Sequence, residues 1–439
     1  MFGGILRFAV PVIAGNLLQE LYSVVDTLIV GRTLGVTKLA AVGSTASLTF
    51  LVIGFIIGLT SGCAVASAQR FGAGDAAGLR RSVAAHFAIA AVTTALLTAG
   101  FLLGAGPLLS LLQTTPETYA YARTYLVIIY AGVPATMLYN LLSSLLRAIG
   151  NSKAPLGFLI FSSALNIGLD FLCILGFGWD VAGAAIAAVA SQLISGLLCI
   201  AYVKRSAPEL LPDRDSWRAL RATIAEELKI GLPLGVQHSF IALGSMTLQY
   251  FLNGFGTDAV AAYTIGGKVQ NLAQNPIVSM NTVMATYVGQ NAGARKPERI
   301  REGVRKAIAF SVCLAVAISL TVWLLARPIT LLFVGAEEAN VIALVRQYLA
   351  WCCPFLWVMG FLFVCRGTLQ GLGDGVTPLA SSVLELVMRV MLSALLSASL
   401  GYAAVCIAGT AAWASCGVLI AAVYFARSRR LLSQYAPVA

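Results

Sequence analysis

The sequence predicts an all-α polytopic membrane protein with twelve transmembrane helices in two six-helix bundles, related by a pseudo-two-fold axis along the membrane normal. Three observations carry this prediction. Of 439 residues, 59% are hydrophobic and only 11% charged, a balance outside that of soluble domains. Uncharged runs recur at 39–69, 82–116, 230–257 and 390–426, each long enough for a tilted span of about 20 residues, or for a span plus a loop. The chain also repeats itself. At an offset of 221, Gly35 to Ala88 match the second half at 12 of 54 positions without a gap, including Gln69 with Gln290 and Arg80 with Arg301. Nearby offsets pair Pro11 with Pro233, Gly150 with Gly373 and Pro155 with Pro378. An even number of helices per half gives both halves the same orientation, which makes the repeat parallel.

In chain order, the spans are expected at 8–31, 39–68, 82–105, 122–146, 155–177 and 181–203, then at 229–255, 259–288, 305–326, 345–369, 376–399 and 402–426. Long continuous apolar runs read as helices, because barrel strands are short and alternate. The first run continues past any signal-peptide core, so it reads as a span and not as a cleavable leader. The lobes are expected at 1–205 and 229–439, joined by a polar cytoplasmic linker at 206–228 that carries Pro208, Pro212 and mixed charge.

The formal net charge of +11 is an orientation signal. With the N-terminus inside, 22 of the 29 Lys and Arg fall in cytoplasmic segments; Arg32, Lys38, Arg123, Arg327 and Arg346 lie outside, and Lys268 and Arg389 within spans. That asymmetry places both termini in the cytoplasm and argues against a nucleic-acid surface; the expected location is a bacterial-type plasma membrane. The nine cysteines have no C-x-x-C pair or matching His and read as small core residues. No structural metal is expected.

The first span organises the rest. Leu17, Leu18, Leu21, Val24, Val25 and Leu28 fall on one helical side; Asn16, Gln19, Glu20, Tyr22, Ser23, Asp26 and Thr27 fall on the other. A carboxylate in mid-membrane costs at least about 2.5 kcal/mol, so Asp26 is expected to face an internal cavity. Pro11, about four turns earlier, removes a backbone hydrogen bond and marks a bend. In the fifth span Ser162, Asn166 and Asp170 share a face at four-residue spacing. Asp26 and Asp170 with amide and hydroxyl neighbours suit a proton or Na+, since hard cations take oxygen ligands. Glu20 borders the same polar face. Lys268, with Asn271 and Asn275, is expected to line the cavity, as are Gln19, Tyr22 and Tyr139. Glu385 and Arg389 have the spacing of an intrahelical ion pair, and Gly54, Gly58 and Gly62 that of a close helix crossing.

LLQELYSVVDTLIVGRTLG followed by LAAVG, then ASAQRFGAGD, LRAIGNSKAP, LNIGLDFLCILG and YVGQNAGARKPE, together resemble the multidrug and toxic compound extrusion (MATE) family over nearly the whole chain. The resemblance implies two bundles in a V that open alternately, exporting small organic cations or drugs against entering H+ or Na+. It maps an N-lobe cation site onto Asp26, Asn166 and Asp170, and a bending proline onto Pro11. Family members with a second acidic site carry carboxylates in spans seven and ten, and residues 230–257 and 347–371 have none; this resembles the DinF-like branch. Glu20 stands where that pattern has a neutral amide.

No cofactor is expected beyond the coupling ion, no partner beyond the bilayer and the cargo, and the chain is expected to work as a monomer. The alternative within the superfamily is a flippase or exporter of a lipid-linked or polar metabolite, which calls for a more cationic cavity. An enzyme would need a nucleophile with a base. Ser61 and His86 are the one pairing available, and the Walker A, H-E-x-x-H and G-x-S-x-G signatures are absent from the sequence.

Overall fold

A computed structural model describes residues 2–111, 114, 116–218, 220–331, 335 and 337–433. The expected lobe ends at 1 and 439, and residue 219 of the linker, lie outside the described residues. The first half holds α1 (Phe2–Leu34), α2 (Val36–Gly72), α3 (Ala76–Leu111), α4 (Pro116–Ala131), α5 (Val133–Ala148), α6 (Lys153–Asp170) and α7 (Asp180–Ser206), with a π-helical turn at Phe171–Gly176. Two short 3-10 turns, Pro208–Leu210 and Asp215–Trp217, lead to the second half. There follow α8 (Leu220–Asn253), α9 (Thr257–Gly293), α10 (Pro297–Leu324), α11 (Ala326–Thr330), α12 (Ala339–Cys352), α13 (Leu356–Gly371), α14 (Val376–Leu400) and α15 (Tyr402–Ser433).

Among the described residues, nine helical stretches are long and apolar enough to cross a membrane, and the pair α4 and α5, bent by 47°, makes a tenth. The long helices α8 and α9 complete twelve crossings. They fall below the apolar criterion because Gln237, His238, Lys268, Gln270, Asn271, Gln274 and Asn275 interrupt their hydrophobic faces. The fourth and tenth spans, expected as single helices, are each broken. Pro134 lies in the first turn of α5, and Pro354 lies in a 3-10 turn between α12 and α13; a proline without an N–H opens the backbone ladder there.

The repeat holds at the level of single helix ends. Displaced by 221, α2 reproduces both ends of α9, and the start of α3 becomes the start of α10. Displaced by 223, α4 and α6 start where α12 and α14 start, and α5 covers the range of α13. The turns repeat as well. Left-handed backbone occurs at Gly35 and Gly256, at Gly150 and Gly373, and at Gly178 and Gly401, positions where a side chain would be strained.

Packing divides the chain into two units, one covering Val10–Gly235, the other the residues from Val236 on together with those up to Ala9. Both α1 and α8 therefore change unit along their length, within three residues of Pro11 and Pro233 respectively. In the first unit, Leu126, Tyr130, Leu141, Leu145 and Leu146 are among the buried core residues.

The first stretch of α8 is fixed into that unit by glycines. A Cβ on Gly62 would lie 2.6 Å from the Gly231 Cα, and one on Gly235 3.0 Å from the Phe55 ring, while Gly58 meets the Leu234 carbonyl. The glycine spacing of the second span thus finds its use in a crossing with α8. Polar contacts close the same junction: Arg70 binds Glu226 at 2.6 Å and Arg80 binds Asp213 at 3.2 Å. Hydrogen bonds from the Ser216 hydroxyl and backbone, with help from Arg80, hold the Asp213 carboxyl below the usual range. Glu227, just ahead of the seventh span, is fully buried. One of its carboxyl oxygens accepts a hydrogen bond from Ser82 and the other has no partner. Burial pushes its carboxyl up to about 8, against the opposing pull of Ser82 and Arg70.

A carboxyl raised in the folded state favours folding when protonated, and that contribution is lost as pH rises from its unfolded range near 4.5 through about 8. The melting temperature of purified protein should therefore fall across that window, and Glu227→Gln should flatten the fall. Parallel profiles for the two proteins would remove Glu227 from the junction's energetics.

Candidate functional site

The α6 helix sets Ser162, Asn166 and Asp170 on one buried face, at 4%, 1% and 0% exposure. Asp170 is the last residue of the regular helix, and the π-helical turn begins at Phe171. Such a turn widens the backbone next to the carboxyl and frequently marks a functional position. From α1, half-buried Asp26 brings its carboxyl within side-chain hydrogen-bonding reach of Asp170. A direct hydrogen bond between two carboxyl groups requires a proton on one of them. With both ionised, neither Asp170 oxygen has a donor. Both polar atoms of the Asn166 amide, one turn earlier, also lack a partner.

No Lys, Arg or His forms an ion pair with either carboxylate among the described residues. The cluster therefore offers several oxygen atoms and up to two negative charges, with no basic side chain to balance them. A proton or a hard monovalent cation supplies what is missing. Tyr22 of α1 and Tyr125 of α4 lie within electrostatic reach of both carboxyls, so four side chains from three helices converge. Tyr125 is absent from the sequence-based site. It stands in an apolar run, and its spacing of four from Tyr121 does not separate it from a core tyrosine.

Gln19 and Glu20 are exposed on α1. The Tyr139 hydroxyl donates to the Pro155 carbonyl at 3.3 Å, and its ring packs on the first unit's core. Lys268, Asn271 and Asn275 belong to the second unit, on α9, where Lys268 and Asn271 are exposed and Asn271 accepts a hydrogen bond from Gln274 at 2.9 Å. Glu385 and Arg389 form the expected intrahelical pair at 2.6 Å, buried within α14. Arg366, counted with the cytoplasmic basic residues, is instead buried in α13, where it donates to Ser381 at 2.8 Å. The Ser61 hydroxyl donates to the Gly58 carbonyl of its own helix.

A sequence profile of the MatE family matches the chain twice, at residues 11–172 and 233–395, so the two matches reproduce the internal repeat. The chain is 29% identical over 401 residues to the probable multidrug resistance protein YpnP of Bacillus subtilis (strain 168), covering 90% of this chain and 88% of that one. It is 30% identical over 353 residues to the probable multidrug resistance protein YoeA of the same organism, covering 76% and 74%. Among solved structures it resembles an outward-facing conformation of a multidrug resistance MATE family transporter of the MOP superfamily, with a TM-score of 0.90 at 23% identity over 99% of this chain and 96% of that one.

Asp170→Asn places an N–H donor against the Asp26 carboxylate and removes the second charge. Stability at neutral pH should rise by about 1–3 kcal/mol, the usual cost of an unsatisfied buried polar group, in thermal unfolding of the purified protein. A clear loss of stability would mean that the ionised pair is already satisfied.

Proposed function

The chain belongs to the MatE (multidrug and toxic compound extrusion) family, and from that premise we propose that it is a secondary active exporter of multiple drugs, favouring small organic cations, driven by entering H+ or Na+ through alternating access. Membership makes the chain a multi-pass membrane transporter. The cargo class is supported by the curated names of YpnP and YoeA. The coupling reading rests on one observation above all, the approach of Asp26 to Asp170 beside an unpartnered Asn166, with no basic side chain paired to either carboxyl among the described residues. Two carboxylates so placed attract a cation from either side, whether that cation is the coupling ion or the positive end of the cargo. Occupancy by one lowers the affinity for the other, which is the requirement for exchange.

Asp26, Asn166 and Asp170 hold the ion in this scheme. Tyr22 and Tyr125 line the same space, and Gln19 and Glu20 flank its approach. Pro11 sits close to the point where α1 passes between packing units, which suits a bend that follows the state of Asp26. The lobes are 1–205 and 229–439, with 206–228 as the cytoplasmic connection and both termini inside; the chain acts as a monomer and catalyses no covalent step. Coupling in the N-terminal lobe alone follows the DinF-like pattern. Export of a polar or lipid-linked metabolite is the second reading, supported by the buried cationic side chains Arg366 and Arg389 in the second unit.

Everted vesicles tested under a pH gradient, then under a Na+ gradient, decide the coupling. Asp26→Asn and Asp170→Asn should insert normally and lose gradient-driven export under the gradient that powers the wild type. Asn166→Ala should be slower by roughly fivefold, from the loss of about 1 kcal/mol of interaction with the bound ion. Pro11→Ala should lower turnover more than drug affinity. Wild-type rates in both Asn variants would eliminate the site. Orientation is tested with single reporter cysteines in a cysteine-free background, where an impermeant thiol reagent on intact cells should label positions near Lys38 and Glu337 and spare those near Asp75, Asp215 and Lys296. The opposite pattern would invert the topology.

A further inference from the structure

The repeat assigns every residue of the N-terminal cation site a counterpart in the second unit, and the counterparts have a different chemistry. On α14, displaced by 223, Ser162 becomes Glu385, Asn166 becomes Arg389 and Asp170 becomes Ser393. On α8, displaced by 222, Tyr22 becomes Gly244 and Asp26 becomes Leu248. On α12, Tyr125 becomes Tyr348. These helix registers are those fixed by the matched helix starts and by the Pro11 and Pro233 pair.

Three of those positions, Gly244, Glu385 and Arg389, meet in space. Arg389 and Glu385 are each 9% exposed and pair at 2.6 Å. The arginine stem runs over Gly244, where a Cβ would lie 3.3 Å from Cδ and 3.4 Å from Nη1, so the loss of the tyrosine side chain at this position is what admits the guanidinium. Tyr263 and Cys352 lie within electrostatic reach of Arg389, and the Tyr263 ring packs edge-on against Tyr348 at 5.1 Å. Ser393 is fully buried with an unpartnered hydroxyl, and Arg389 Nε also has no partner. Where the first unit presents carboxyl groups with no basic residue, the second presents one carboxylate with a cation already in place.

We propose that the second unit contains the repeat counterpart of the Asp26–Asn166–Asp170 site, that the Arg389 guanidinium occupies its cation position, and that this counterpart consequently takes no exchangeable ion. Emptied of that side chain, it becomes a binding site for a free planar guanidinium-type cation, held by Glu385 and shaped by Gly244. Assigning the coupling ion to the first unit rests on the function proposed above; the tethered cation in the second unit stands on its own contacts.

The test is chemical rescue of purified full-length protein. Arg389→Ala leaves Glu385 buried without a partner, a loss that is costly when one member of a buried pair is removed, and its melting temperature should fall below that of the wild type. Guanidinium chloride at low millimolar concentration, far below denaturing levels, should then raise it saturably, on the order of 5 °C at a hundredfold excess over the dissociation constant. Sodium and tetramethylammonium chloride at equal ionic strength should not. Neither wild type nor Glu385→Gln/Arg389→Ala should respond. If Arg389→Ala does not fold, adding guanidinium during purification, or the second substitution Glu385→Gln, should recover it. Failure of both recoveries, absence of rescue in a folded Arg389→Ala, or an equal shift in all three proteins would overturn the proposal. Rescue should be unchanged in an Asp26→Asn background. A wrong coupling assignment therefore shows as undiminished export by the Asp variants with rescue intact, and a wrong counterpart assignment as failed rescue with export lost.

Discussion

Two carboxyl groups in contact inside an apolar helix bundle cannot both remain charged without a cation between them, and the rest of the structure serves that constraint. Asp170 ends a regular helix where a π-helical turn gives it room; Asp26 arrives from a helix whose opposite side, at Leu21, Val24 and Leu28, is exposed. The side chains within electrostatic reach of the pair, Tyr22, Tyr125 and Cys173, carry no formal charge, and Asn166 one turn before Asp170 is a neutral amide. An arginine among them would satisfy the pair permanently, because a tethered charge does not leave. The second unit makes the contrast concrete, since there a buried arginine does hold its glutamate.

One helical scaffold thus carries two electrostatic outcomes. Several helix starts and the paired left-handed glycines coincide between the halves, while the inward side chains of the two polar faces differ in chemistry. Gly244 and Arg389 change together: the first removes bulk where the second needs volume. Neither change disturbs the backbone, which explains how the repeat stays in register while the chemistry of its two polar faces separates.

Much of this was legible in the sequence, and the physical reason differs by feature. The spans were readable because hydrocarbon admits only long apolar helices, and the repeat because turn glycines such as Gly150 and Gly373 tolerate few replacements. The pairing of Asp26 with Asp170 followed from the expense of intramembrane charge. Tyr125 was not legible, because an aromatic residue in an apolar run has the same pattern whether it faces a cavity or a core. The breaks at Pro134 and Pro354 were passed over because the flanking residues remain apolar through the bend. Glu227 escaped notice among the charged residues of the linker; burial by Ser82 and the α8 glycines depends on tertiary packing that local composition does not encode. Arg366 was misplaced for the same reason, as its distance from the helix end says nothing of how deeply the neighbouring helices cover it.

The passage of α1 and α8 between packing units has a consequence for how the chain is made. The segment before Val10 is synthesised ahead of the first unit, yet it belongs with residues from Val236 onward, which are synthesised more than two hundred residues later. The first unit is likewise incomplete until Gly235 has emerged, because the Gly231 and Gly235 contacts close it. Folding of the two units is therefore interlocked in time. Domain-by-domain maturation during synthesis completes neither unit from one continuous stretch, and the residues before Val10 gain their packing partners only after Val236 onward has been translated.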